Sequence, residues 1–188
     1  MADPSYIVDG VLTDGEAWVG ISTATSSGST ALFTFTSTND GQVGDFSQYM
    51  DLVLIMYVNG ASSGTYSKLN FNNDTGSNYP YQNLYGDGAN ATAGAGTLGY
   101  FDGAWYGGSG GEFGAGGVHL FDINSGKYKS GTTQVASDQD GSGYVNLNGA
   151  TWKSQAPITE IDITDSSAAN FASGSLVSLF GILPRMVS

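Results

Sequence analysis

Cysteine is absent from this 188-residue chain, and basic residues nearly are. Without cysteine there is no disulfide framework and no thiolate chemistry. Five Lys and Arg stand against 17 Asp and Glu, a net charge of −12. No basic cluster exists to displace counterions from phosphates, which argues against nucleic acid. The same deficit argues against an anionic membrane surface. No apolar run approaches membrane-spanning length. The opening MADPSYIVDG has no basic start followed by an apolar run, so it does not read as a signal peptide, and synthesis in a cytoplasm is expected. Histidine occurs once, at His119, and glutamate three times, at Glu16, Glu112 and Glu160.

What the chain does hold is glycine, 29 residues of it, with much Ser, Thr and Asn around a 40% apolar content. That is the composition of short strands joined by many turns. Ala31 to Thr36 alternates, with Phe33 and Phe35 on one face. Met50 to Val58 puts Leu52, Leu54, Met56 and Val58 on one face and Val53, Ile55 and Tyr57 on the other, which predicts a strand buried on both sides. Leu69 and Phe71 oppose Tyr66, Lys68 and Asn70. Near the far end, Ile161 and Ile163 share one face of a short strand. Leu176, Phe180 and Ile182 then alternate with Val177 and Leu179 on a strand apolar on both faces, fit for a sheet covered on both sides or for a subunit contact. Turns are expected at Asn39-Asp40-Gly41, at the Asn/Asp/Gly cluster after Phe71, at Ser125-Gly126 and at Asn148-Gly149. The organisation expected is an arm at 1–9 and one antiparallel β-sandwich of roughly eight strands over 10–188. Thirteen of the 32 residues from Gly86 to Gly117 are glycine, so this region reads as an insert with a long loop from Trp105.

Few residues carry chemistry. Asp138-Gln139-Asp140-Gly141-Ser142-Gly143 starts like a calcium loop, with oxygens at alternate positions from Asp138, Asp140 and Ser142. The twelfth position is Gly149, where a bidentate Glu belongs, and a plain hairpin turn accounts for the same residues. His119 alternates within a strand, where it reads as an ordinary strand histidine rather than the base of a Ser–His–Asp device. Nothing in the spacing sets two carboxylates on one concave surface as a glycosidase requires. Tyr79, Tyr81, Tyr85, Trp105 and Tyr106 fall in expected loops, where aromatics can stack on sugar rings, fill a subunit interface or fold back over the sandwich. In the arm, Tyr6, Ile7 and Val8 are apolar enough to dock on a partner.

Three segments resemble, in the same order, a family of tailed-bacteriophage structural proteins of jelly-roll type. They are LNFNNDTGSNYPYQNLY from Leu69 to Tyr85, the stretch from Asp122 to Val145 with its DQDGSGYV turn, and Ile158 to Ile182 with its closing NFASGSLVSLFGI. The resemblance implies an all-β, jelly-roll-like sandwich in the virion. It implies a capsid decoration or cement protein on the outer head surface, stabilising capsid subunits by interface burial. Such a protein has no catalytic residue and no required cofactor. Its expected partners are further copies of itself, as a trimer, and the major capsid protein or another virion protein, with Tyr6, Ile7, Val8, Trp105 and Tyr106 as contacts. A tail-fibre or receptor-binding module that contacts host glycans is the second expectation, and a carbohydrate-active enzyme on a sandwich fold the third.

Overall fold

A computed structural model describes residues 7–8, 11–12, 18–61, 66–107, 112–138 and 143–183. The chain is all-β. An eight-stranded antiparallel sheet has the order β3 (Trp18–Thr25), β14 (Leu176–Ile182), β5 (Asp51–Val58), β10 (Gly114–Phe121), β11 (Lys129–Asp138), β12 (Gly143–Trp152), β7 (Tyr79–Gly86) and β8 (Ala91–Leu98). A four-stranded antiparallel sheet has the order β4 (Leu32–Thr36), β13 (Glu160–Asp165), β6 (Tyr66–Phe71) and β9 (Phe101–Trp105). The two sheets make a jelly-roll-like sandwich. A separate two-stranded ribbon pairs β1 (Ile7–Val8) with β2 (Val11–Leu12).

The core lies between the sheets and follows from alternation. Leu52, Leu54, Met56 and Val58 of β5 and Val177 and Leu179 of β14 face Phe33 and Phe35 of β4, Ile161 and Ile163 of β13 and Leu69 and Phe71 of β6. Each of these side chains is buried, and burying one fully contributes roughly 1.5–3 kcal/mol. The turn after Phe71 is built as its chemistry predicts. Asn72 and Asn73 take left-handed backbone at φ 51° and 60°. The Asn72 side chain accepts from the Thr159 and Glu160 amides, which fixes the entry to β13. Asp74 accepts from the Gly76 amide, from Asn78 and from the Trp152 indole, tying the turn to the end of β12.

The structure corrects four expectations. Among the described residues the sandwich has twelve strands rather than roughly eight. β5 is buried on one face only: Val53 is covered, but Ile55 and Tyr57 are 45% and 51% exposed. The glycine-rich region is mostly strand, forming β8, β9 and the start of β10, while Gly99 and Tyr100 make the bend between them. Glycine is required there by close approach. A Cβ at Gly114 would lie 1.7 Å from the Trp105 carbonyl oxygen. Finally, Asn148 and Gly149 do not turn; they run inside β12, in register with β11 and β7.

Candidate functional site

Two surfaces stand out, and both follow from eight strands packing on four. The first is the outer face of the large sheet. Register puts Phe180, Val53 and His119 in one row across β14, β5 and β10, with Ile55 and Tyr57 further along β5; Trp18 of β3 lies against Phe180, ring centroids 6.2 Å apart. Phe113 stacks on Tyr57 with ring centroids 4.7 Å apart. Across β12 and β7 the same face carries Val145, Leu147 and Leu84, each at least 46% exposed. Ala91, Ala93 and Ala95 of β8 continue it. Charge is scarce here. Asp51 is buried at one end and Asp138 closes the other. The outer face of the small sheet is the opposite in character: Thr34 donates to Asp162 Oδ1 at 2.6 Å, and Glu160 and Lys68 lie beside them.

The second surface is a cleft. The small sheet ends at β9, so the inward faces of β7 and β8 extend past it uncovered. Their side chains and the edge of β9 enclose about 510 Å³. Tyr81, Asn83 and Tyr85 alternate along β7 and supply one side. Gly94 on β8 allows this, because a Cβ there would sit 2.6 Å from Asn83 Oδ1. Tyr100, Asp102 and Trp105 supply the other side, with Tyr66 from β6 and Tyr144 from β12. The rings interlock. Trp105 lies 5.7 Å from Tyr66, 6.0 Å from Tyr85 and 5.4 Å from Tyr144, centroid to centroid. The Tyr66 and Tyr100 hydroxyls are hydrogen-bonded at 2.9 Å.

The polar groups of the cleft are unevenly satisfied. Asp102 is buried and accepts from Asn148 Nδ2 at 2.9 Å; burial pushes its carboxyl up to about 6, against the lowering effect of that bond. The Trp105 indole N–H is shut off from water and has no hydrogen-bond partner among the described residues. Behind the lining, Asn146, inward-facing on β12 between Tyr144 and Asn148 and opposite Tyr85, is 1% exposed, with neither amide atom bonded among the described residues. The Asn83 side chain and the hydroxyls of Tyr81, Tyr85 and Tyr144 make no hydrogen bond with the described residues. Buried polar groups left unpaired are uncommon and costly.

The residues singled out in the sequence separate accordingly. Trp105 ends β9 and belongs to the cleft. Tyr106 is not a loop aromatic open to a partner: it is fully buried, and its hydroxyl donates to Asp165 Oδ2 at 2.6 Å, so the ring belongs to the core. Tyr79, Tyr81 and Tyr85 are strand residues of β7 rather than loop residues, and Tyr79 is core. Ile7 and Val8 form β1, and Tyr6 lies outside the described residues. Asp138 ends β11 opposite Gly143, whereas Asp140 and Ser142 lie outside the described residues. Residues 144–149, the later positions of such a loop, are part of strand β12, laddered to β11. Among the described residues no group of three His, Asp or Glu side chains could hold a metal ion.

His119 Nε2 is 2.9 Å from Asp51 Oδ2, and Asp51 Oδ1 accepts from the Asp122 amide. A carboxylate therefore does orient the ring. Its cross-strand neighbours are Val53 and Thr132, its ring packs on Phe121, and among the described residues no hydroxyl is hydrogen-bonded to it. The pair braces β5 against β10. Sequence reasoning missed Asp102, Tyr100, Tyr66, Tyr144 and Asn83, whose meeting depends on how the strands pair across the sheets. No known protein family, curated protein or solved structure matches the chain.

Proposed function

We propose that this chain is a structural protein of a virion, a decoration or cement protein that coats the outer head surface and holds capsid subunits by burying its large-sheet face against them. The observation that carries this reading is the sharp difference between the two outer faces. A chain with 17 acidic residues keeps the broad face of one sheet almost free of charge and studs it with exposed large apolar side chains. Eight strands of about eight residues span about 38 Å by 27 Å, or about 1,000 Å² per partner. That meets the size of a stable specific interface, roughly 1,600 Å² in total. The resemblance to phage jelly-roll structural proteins, noted from three ordered segments, supports the same partner: the head shell. The acidic remainder keeps neighbouring copies apart and soluble until they dock.

Electron microscopy of virions with and without this gene tests the proposal. Density is expected on the head surface of the intact virion only. In a binding assay, purified chain should sediment with undecorated heads, and Ile55→Lys with Leu147→Lys should abolish that while leaving the unfolding midpoint in place. Identical head surfaces, or unchanged binding by the lysine variant, would remove the reading. A shift of the purified chain from monomer to dimer that the same lysines abolish would reassign the face to contact between copies.

A further inference from the structure

The cleft is distinct from the docking face: it opens on the inward side of β7 and β8, and the face lies on their outward side. We propose that it is a binding site for a neutral saccharide. Four features of its lining point to that chemical class.

Trp105, Tyr85, Tyr144 and Tyr81 offer aromatic surfaces around one space, and the C–H faces of a pyranose ring are the apolar surface that such rings take up. The polar heads around them are neutral and of both kinds. Asn83 has an amide donor and an acceptor, and three tyrosine hydroxyls can do either. None of these is spent on the described protein. A purely apolar ligand would leave Asn83 and Asp102 stranded, whereas a polyol can pair with both. Charge narrows the class further. Among the described residues no Lys or Arg lines the cleft, while Asp87 and Asp102 do. Phosphorylated, sulfated and uronic ligands are therefore disfavoured. Finally, the Trp105 indole N–H is buried with no hydrogen-bond partner among the described residues, polar capacity in a lining residue that an ordinary core would have satisfied. The volume, about 510 Å³, falls within the range of small-molecule sites.

The test uses the full chain on an array of neutral oligosaccharides of glucose, galactose, mannose and N-acetylglucosamine, followed by titration of the hits with tryptophan fluorescence as readout. Saturable binding is expected, with a change in emission from Trp105. Tyr144→Ala and Asn83→Ala should each weaken it by about tenfold, as for the loss of one stacked ring or one bidentate partner. Ile55→Lys, on the opposite face, should leave it unchanged, so failure here and failure of head binding are told apart. Circular dichroism and the unfolding midpoint of each variant separate lost binding from lost folding; should Tyr144→Ala not fold, Tyr144→Leu replaces it. Absence of binding to every neutral sugar overturns the proposal. So does binding that these substitutions do not weaken. A choline titration is the second arm: binding of choline in place of sugars would make the cleft an aromatic cage for cations and equally overturn it.

Discussion

Asn148 on β12 donates a 2.9 Å hydrogen bond to Asp102 on β9, linking the large sheet to the edge of the small one through a buried carboxyl. Asp102 ordinarily ionises at 3.8 and is pushed up to about 6 in the fold, chiefly by burial. The folded chain therefore holds this proton at pH values where the unfolded chain has released it. The resulting stability is fully present below about pH 3.8 and is lost as pH rises through 6, a change of about 3 kcal/mol. Asp102→Asn keeps an acceptor for Asn148 and removes the ionisation. Its stability relative to the parent should grow from pH 4 to pH 6.5 and then level off. Urea unfolding across that range checks it, and two parallel pH profiles would refute the assignment.

Tyr106 gives a second prediction. Its hydroxyl donates to the buried Asp165 carboxylate, whose other oxygen takes the Ser167 and Ala169 amides. Tyr106→Phe keeps the ring and strands one carboxylate oxygen. A loss of about 1.5–3 kcal/mol is expected, as for a hydrogen bond to a charged group. Chemical unfolding of the variant measures it, and a change under about half a kcal/mol would mean that Asp165 is satisfied without the tyrosine.

Much of the sandwich could be read from residues whose local pattern and tertiary place agree. Phe33 and Phe35, Leu69 and Phe71, and Ile161 and Ile163 alternate in the sequence and face inward in the fold. Asn72 and Asn73 turn where their side chains suit a turn. β8 was not legible, because its Gly and Ala residues have no side-chain alternation to signal a strand; pairing with β7 imposes the extended state. Asn148-Gly149 has turn chemistry, yet two flanking ladders hold it straight. The outer face of β5 was misread as core for a related reason. Ile55 and Tyr57 are as apolar as core residues, and periodicity cannot tell a second buried face from one left open. Of the cleft only Trp105, Tyr81 and Tyr85 were marked, since Asp102 and Asn83 have no local signature until β7 and β9 lie opposite each other.

Two glycines should respond in opposite ways to alanine. At Gly114 the added methyl group meets the Trp105 carbonyl, a backbone atom that cannot swing aside. Gly114→Ala should cost about 3 kcal/mol or more, at the upper end of overpacking. At Gly149 a Cβ meets nothing within 4 Å and the strand is regular. Gly149→Ala should stabilise by about 0.5–1 kcal/mol through the unfolded chain. Thermal unfolding of the pair checks both signs together.

The uncovered sheet face predicts an asymmetry between folding and solubility. Leu84, Val145 and Leu147 touch water in the lone chain, so replacing any of them with threonine should shift stability by no more than about 0.5 kcal/mol. The same changes should raise the concentration at which the chain stays monodisperse. Light scattering at increasing concentration, beside an unfolding curve, reads both. A large stability loss would show that these side chains are covered within the monomer.

β14 sits between β3 and β5, so Trp18 finds its cross-strand neighbour only when Ile182 arrives. While the ribosome is still extending the chain, one flank of each of those strands offers its amides and carbonyls to whatever passes. A nascent chain of this design is most vulnerable to such pairing just before β14 is made, and crowded polysomes translating it side by side are where strand exchange between siblings would begin.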